Sequence, residues 1–105
     1  MNHEIKAKWV AALRSGEYKQ GQRYLRVDDT FCCLGVLCDL HAKATGGEWE
    51  GFAYFDAIEV PPAPVYEWAG IDDQRTGPGA PNNLAYANDH GKAFAEIADI
   101  IEREL

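Results

Sequence analysis

The apolar positions of this chain follow a helical period at both ends and in one central block. Ile5, Trp9, Ala12 and Leu13 recur at helical spacing, with Lys6, Lys8 and Arg14 off the stripe. Asn2 suits the N-cap, Glu4 the first turn and Gly16 the position just past the end, so this spacing predicts a helix over 3–15. Phe94, Ile97, Ala98, Ile101 and Leu105 make a second stripe, with Glu96, Asp99, Glu102 and Glu104 on the polar side, and predict a helix over 93–105. Residues 31–44 are apolar nearly all round, which predicts a central helix packed on several faces, with Asp29 or Thr30 as its cap. Gly35 inside that block costs about 1 kcal/mol against alanine. Its presence predicts that another backbone approaches closely there.

Elsewhere the pattern shortens. Residues 23–27 alternate, and 48–60 are rich in aromatics, so both read as strand segments, the second with a bend at Gly51. A short helix is expected over 64–69, with Val65 and Trp68 inward and Gly70 closing it. Residues 71–83 are the longest stretch without periodicity, and 84–88 fit a short helix or strand before the Asp89-His90-Gly91 turn. The expected fold is one compact α+β domain over residues 1–105. A small antiparallel sheet from 23–27 and 48–60 packs against the helices 3–15, 31–44 and 93–105. Sheets this small are marginal alone, so a symmetric homo-oligomer is also expected.

Charge changes the range of partners. Seventeen acidic and ten basic residues give a net charge of −7. Duplex-binding surfaces release counterions through cationic faces, so nucleic acid is not an expected partner. Leu84 to Leu105 has a helix–turn–helix-like pattern, but its second helix offers Lys92 and Arg103 against four carboxylates, which disfavours entry into a groove. The longest apolar run, Phe31 to Cys38, is far shorter than the roughly 20 residues of a membrane-spanning helix. With no basic-then-apolar leader at the N-terminus, a cytoplasmic location is expected.

Three cysteines within seven residues, Cys32, Cys33 and Cys38, are not a disulfide framework and read as small buried thiols. Cys32, near a helix start, is the candidate for a lowered thiol pKa. Cys38 and His41 make at most half a zinc site, so no metal or other cofactor is expected. The carboxylate pairs Asp28-Asp29, Asp72-Asp73 and Glu48/Glu50 have no spacing that predicts a catalytic cleft, and no catalytic motif is recognised.

Four segments together resemble a family of small, mostly uncharacterised proteins encoded by tailed phages and prophages. They are Leu13-Arg14-Ser15-Gly16-x-Tyr18-x-Gln20-Gly21, Phe31-Cys32-Cys33-Leu34-Gly35-Val36-Leu37-Cys38-Asp39-Leu40, Val65-x-x-Trp68-Ala69-Gly70-Ile71, and the run from Leu84 through Asn88-Asp89-x-Gly91 to Ile101-Glu102. The resemblance implies a phage accessory setting inside a host cell and assigns no residue a role.

Arg23, Tyr24 and Arg26 lie on a predicted strand, while Trp49, Tyr54 and Trp68 flank the long loop and Asn83, Asn88 and Asp89 close it. Aromatic faces stack on bases, arginines pair with phosphates, and Asn or Asp reads base edges or ribose hydroxyls. These nine residues are therefore the candidate ligand-binding set. In the phage setting they favour an anti-defence protein that sequesters a small nucleotide-like host immune signal. The alternative is a protein-binding inhibitor of a host enzyme or receptor. A third reading is an enzyme that degrades such a signal, using His90, Asp89 or Cys32.

Overall fold

The computed structural model describes all of residues 1–105. Helix α1 spans His3–Ser15, with the Asn2 carboxamide oxygen accepting from the Ile5 N–H (3.0 Å) and Gly16 left-handed at φ +79°. Its inner face (Ile5, Trp9, Val10, Leu13) packs on α5, Phe94–Glu104, which buries Phe94, Ile97, Ala98 and Ile101. Both terminal stripes thus form the helices their spacing predicts. Where the two helices leave the core, Arg14 forms ion pairs with Asp99 (2.6 Å) and Glu102 (3.2 Å).

Helix α2, Cys33–Thr45, is the central element and packs against α1, α3 (Ala63–Ala69) and α4 (Pro81–Asp89). Its first eight helical positions include Leu34, Val36, Leu37 and Cys38, all fully buried. The Trp9 indole, also fully buried, donates to the Cys33 carbonyl (3.0 Å), so the large ring brings no unsatisfied N–H into the core. The cap is Cys32, whose Sγ accepts from the Gly35 N–H (3.4 Å), and not Asp29 or Thr30. The difference arises because Thr30–Phe31 is pulled into a strand.

That strand, β3 (Thr30–Phe31), is the middle of a three-stranded sheet. It runs parallel to β1 (Lys19–Gln20) and antiparallel to β2 (Arg26–Val27). The expected antiparallel sheet between 23–27 and 48–60 is corrected to two separate sheets. Arg23 is left-handed at φ +77°, which stops a strand from starting before Tyr24. Gly51, at φ +63°, folds 48–60 back on itself, so that β4 (Trp49–Glu50) pairs with β5 (Ala53–Tyr54). The two sheets are joined by a backbone bond from the Leu25 N–H to the Ile58 carbonyl (2.7 Å) instead of a ladder. Segment 71–83 is shorter as a loop than its composition implies, because Pro81 starts α4 at the position where a missing N–H costs nothing.

Candidate functional site

The nine residues singled out by chemistry fall in four places. Asn88 is fully buried at the meeting point of three segments. Its side-chain oxygen accepts from the Cys33 N–H (3.2 Å) and Gln20 Nε2 (2.9 Å), and its Nδ2 donates to the Gly21 carbonyl (2.8 Å). Beside it, Asp89 Oδ1 accepts the Arg23 N–H (2.6 Å) and so holds Arg23 in its left-handed conformation. Gln20 completes the junction by accepting the Phe94 N–H (3.1 Å) at the start of α5. A buried side chain with every polar atom engaged inside the protein holds the fold and has no capacity left for a ligand. Asn83 lies apart, exposed near the start of α4, where Nδ2 donates to the Gly77 carbonyl (2.6 Å).

Trp49, Tyr54 and Trp68 form part of an aromatic layer against α2. Fully buried Tyr54 shares a hydrogen bond with His41 Nδ1 (2.6 Å), and the His41 ring meets those of Tyr54, Phe55 and Trp68 edge-on. Burial lowers the His41 pKa and raises that of Tyr54. Trp49 Nε1 donates to Asp39 Oδ1 (3.1 Å), and Tyr18 donates to the other carboxylate oxygen (2.5 Å). Burial, with the Asp39 hydrogen bond second, raises the Tyr18 pKa.

The remaining residues, Arg23, Tyr24 and Arg26, border an exposed face. Tyr24, Val27, Phe52 and Ile58 line an apolar cleft of about 330 Å³. A second cleft of about 260 Å³, lined by Arg26, Val27, Asp28, Gly51 and Phe52, shares two of those residues. Phe52 is 52% exposed, Val27 42% and Ile58 38%, and Phe52 meets Tyr24 with ring centroids 6.2 Å apart. The Arg26 guanidinium lies over Phe31 (5.4 Å) and Trp49 (5.6 Å), and its Nε donates to the Asp28 carbonyl (2.9 Å). Neither Arg23 nor Arg26 has a carboxylate partner.

Backbone strain gathers on the loops that supply this face. The four non-glycine residues with positive φ are Arg23, Asp28, Phe55 and Asp56 (+77°, +54°, +49° and +66°). Phe55 and Asp56 are the central pair of a tight turn in which Tyr54 and Ala57 exchange both backbone bonds at 2.9 Å. Two consecutive positive-φ positions normally take Asn-Gly, and a bulky residue there costs on the order of 1 kcal/mol or more.

Sequence reasoning selected Tyr24 and Arg26 at this face but passed over Val27, Phe52 and Ile58. One signal was present. Residues 44–74 contain seven acidic residues and no lysine or arginine, whereas the rest of the chain holds ten of each sign. The whole net charge therefore sits on the segment that carries Phe52 and Ile58.

Cys32 is corrected from the lowered pKa expected of it: burial raises its pKa and outweighs the Gly35 and Leu34 backbone N–H groups. Cys33 and Cys38 are raised by burial too. His90 Nδ1 pairs with the Tyr86 carbonyl (2.8 Å), and no bond links it to Asp89. No group of three His, Cys, Asp or Glu side chains is placed to hold a metal ion. The largest depression, about 560 Å³, is an open groove along α1 and α5 whose far end is occupied by the Arg14–Glu102 ion pair. No helix is long and apolar enough to cross a membrane.

A family model described as a domain of unknown function, DUF8296, matches residues 1–105. The chain belongs to the DUF8296 family. Neither curated proteins nor solved structures gave a match to this DUF8296 chain.

Proposed function

We propose that this DUF8296 domain is a protein-binding module that docks a partner through Tyr24, Val27, Phe52 and Ile58, and that in a phage setting it acts as an inhibitor of a host protein. The observation that supports this reading is a paired cleft walled by half-exposed aromatic and aliphatic side chains, between loops held in costly backbone conformations. Exposed apolar groups with arginine and tyrosine nearby have the composition of an interface centre. The acidic surface and the absence of an enclosed cavity fit a surface that covers another protein.

The test places a photo-crosslinking amino acid at Phe52, and separately at exposed Tyr86 on α4, in host cells. A protein crosslinked from position 52 alone is then purified and titrated against wild type, Phe52→Ser and Tyr86→Ser. Phe52→Ser should weaken binding by about 30-fold or more, as for an interface hot spot. Equal binding by both variants would refute the assignment.

A second reading, capture of a nucleotide-like signal, draws on Arg23 and Arg26, which carry no carboxylate partner, next to the Tyr24 and Phe52 rings. Incubation with cyclic and ADP-ribose-derived nucleotides, followed by heat release and mass detection, tests it. Recovery of intact nucleotide would replace the protein-docking reading.

A further inference from the structure

The charge distribution around the paired cleft defines the occupant more closely. Asp28 lines the polar cleft, while exposed Glu50 and Glu59 sit within two residues of Phe52 and Ile58 in the chain. None of these carboxylates takes part in an ion pair. Asp29, Asp39, Glu96, Asp99, Glu102 and Glu104 are paired with a lysine or arginine, whereas all seven acidic residues of segment 44–74, Glu50 and Glu59 among them, are without an ion pair. Arg26 does not neutralise Asp28, since it contacts the Asp28 main-chain carbonyl and lies over Phe31 and Trp49. Phe52 and Ile58 thus bring one wall of the apolar cleft from the acidic segment 44–74, while Tyr24 and Val27 bring the other wall with Arg23 and Arg26 beside it.

Resting on the protein-docking reading, we propose that the cleft receives a lysine- or arginine-bearing apolar segment of a partner protein. One aliphatic or aromatic side chain of that segment seats among Tyr24, Val27, Phe52 and Ile58, and its flanking cations meet Asp28, Glu50 and Glu59. The volume, about 330 Å³ in the apolar cleft, accommodates a side chain and not a whole helix. Complementary charge at the rim sets partner choice and association rate, while the apolar anchor sets residence time.

Three labelled synthetic peptides test the proposal. They share one pattern of Leu, Phe and Ala and carry Lys, Gln or Glu at the polar positions. Each is titrated by fluorescence anisotropy against wild type, Phe52→Ser and a Glu50→Gln/Glu59→Gln double variant at low and high salt. The lysine peptide should bind at least about tenfold more tightly than the other two and weaken as salt screens the rim. The double variant should lose several-fold of that preference, and Phe52→Ser should abolish binding with the circular dichroism spectrum unchanged. Equal binding of the glutamine peptide, lost in Phe52→Ser, would overturn the cationic assignment while leaving the docking face in place. Lysine-peptide binding that survives Phe52→Ser would be attraction to bulk charge and would overturn the seated anchor. Failure of all three peptides to bind overturns the inference, and crosslinking from position 52 then judges the docking face separately.

Discussion

Replacing Gly35 with alanine tests the packing that sets the cleft in place. A Cβ at Gly35 falls 1.8 Å from the Leu25 carbonyl oxygen and 2.7 Å from its carbon. Both obstacles are backbone, so no rotamer change clears them. Restoring contact distance displaces Leu25 by more than an ångström, away from its N–H bond to Ile58 (2.7 Å) and from the Cys32 N–H its carbonyl accepts (3.3 Å). Overpacking costs about 2–3 kcal/mol and the two weakened hydrogen bonds about 1 kcal/mol each, while the better helix propensity of alanine returns about 1 kcal/mol. The net loss is about 3–4 kcal/mol, which for a chain of this length lowers the thermal midpoint by about 14–18 °C. Differential scanning calorimetry reads the shift, with Ala44→Gly on the exposed side of the same helix as the control, expected to cost about 1 kcal/mol. A Gly35→Ala protein as stable as wild type, or more so, would refute the close approach of Leu25 to α2.

Asn88→Ala removes the acceptor of two donors and the donor of a third bond, and should cost about 2–4 kcal/mol in urea unfolding. Asp56→Gly relieves a left-handed non-glycine residue (φ +66°) and should stabilise by about 0.5–1 kcal/mol, read as a higher urea midpoint. The folded-state pKa of His41 is lowered by burial, so the unfolded chain takes up the proton first as pH falls. The His41 contribution is therefore fully present above about pH 6.5 and is lost below it, toward the lowered folded value. Urea unfolding of wild type and His41→Gln between pH 7.5 and 5, taken at about half-unit steps, should show a shallower decline in the variant. All three thiols are buried with raised pKa values, so a thiol reagent at neutral pH should modify none of them until the protein unfolds.

Elements whose stability is local were legible in the sequence. Helix α1 has its Asn2 cap and Gly16 terminus in the expected places, and α5 its full stripe. The all-round apolarity of residues 31–44 correctly marked a central helix, and Gly35 marked a backbone contact. The sheets were not legible, because strands of two residues carry no periodicity and their pairing is set by distant groups. Asn88, 67 residues from Gly21, fixes the β1 end of one sheet through a side chain. The same cause divided the candidate site. Trp49, Tyr54 and Trp68 have residue types suited to stacking on a ligand, but the volume beside α2 claimed them for the core. Phe52 was counted as a strand residue, whereas its place beside Gly51 at a hairpin tip leaves it half exposed.

The packing of α1 against α5 bears on how the protein is made. Helix α2 covers part of α1, and the rest of the cover over Trp9 and Leu13 comes from α5, whose Ile97 and Ile101 lie more than 80 residues later. On the ribosome, the emerging chain therefore leaves one side of the α1 apolar face open until α5 is released. Folding is completed only after that point, when the last helix closes over the first.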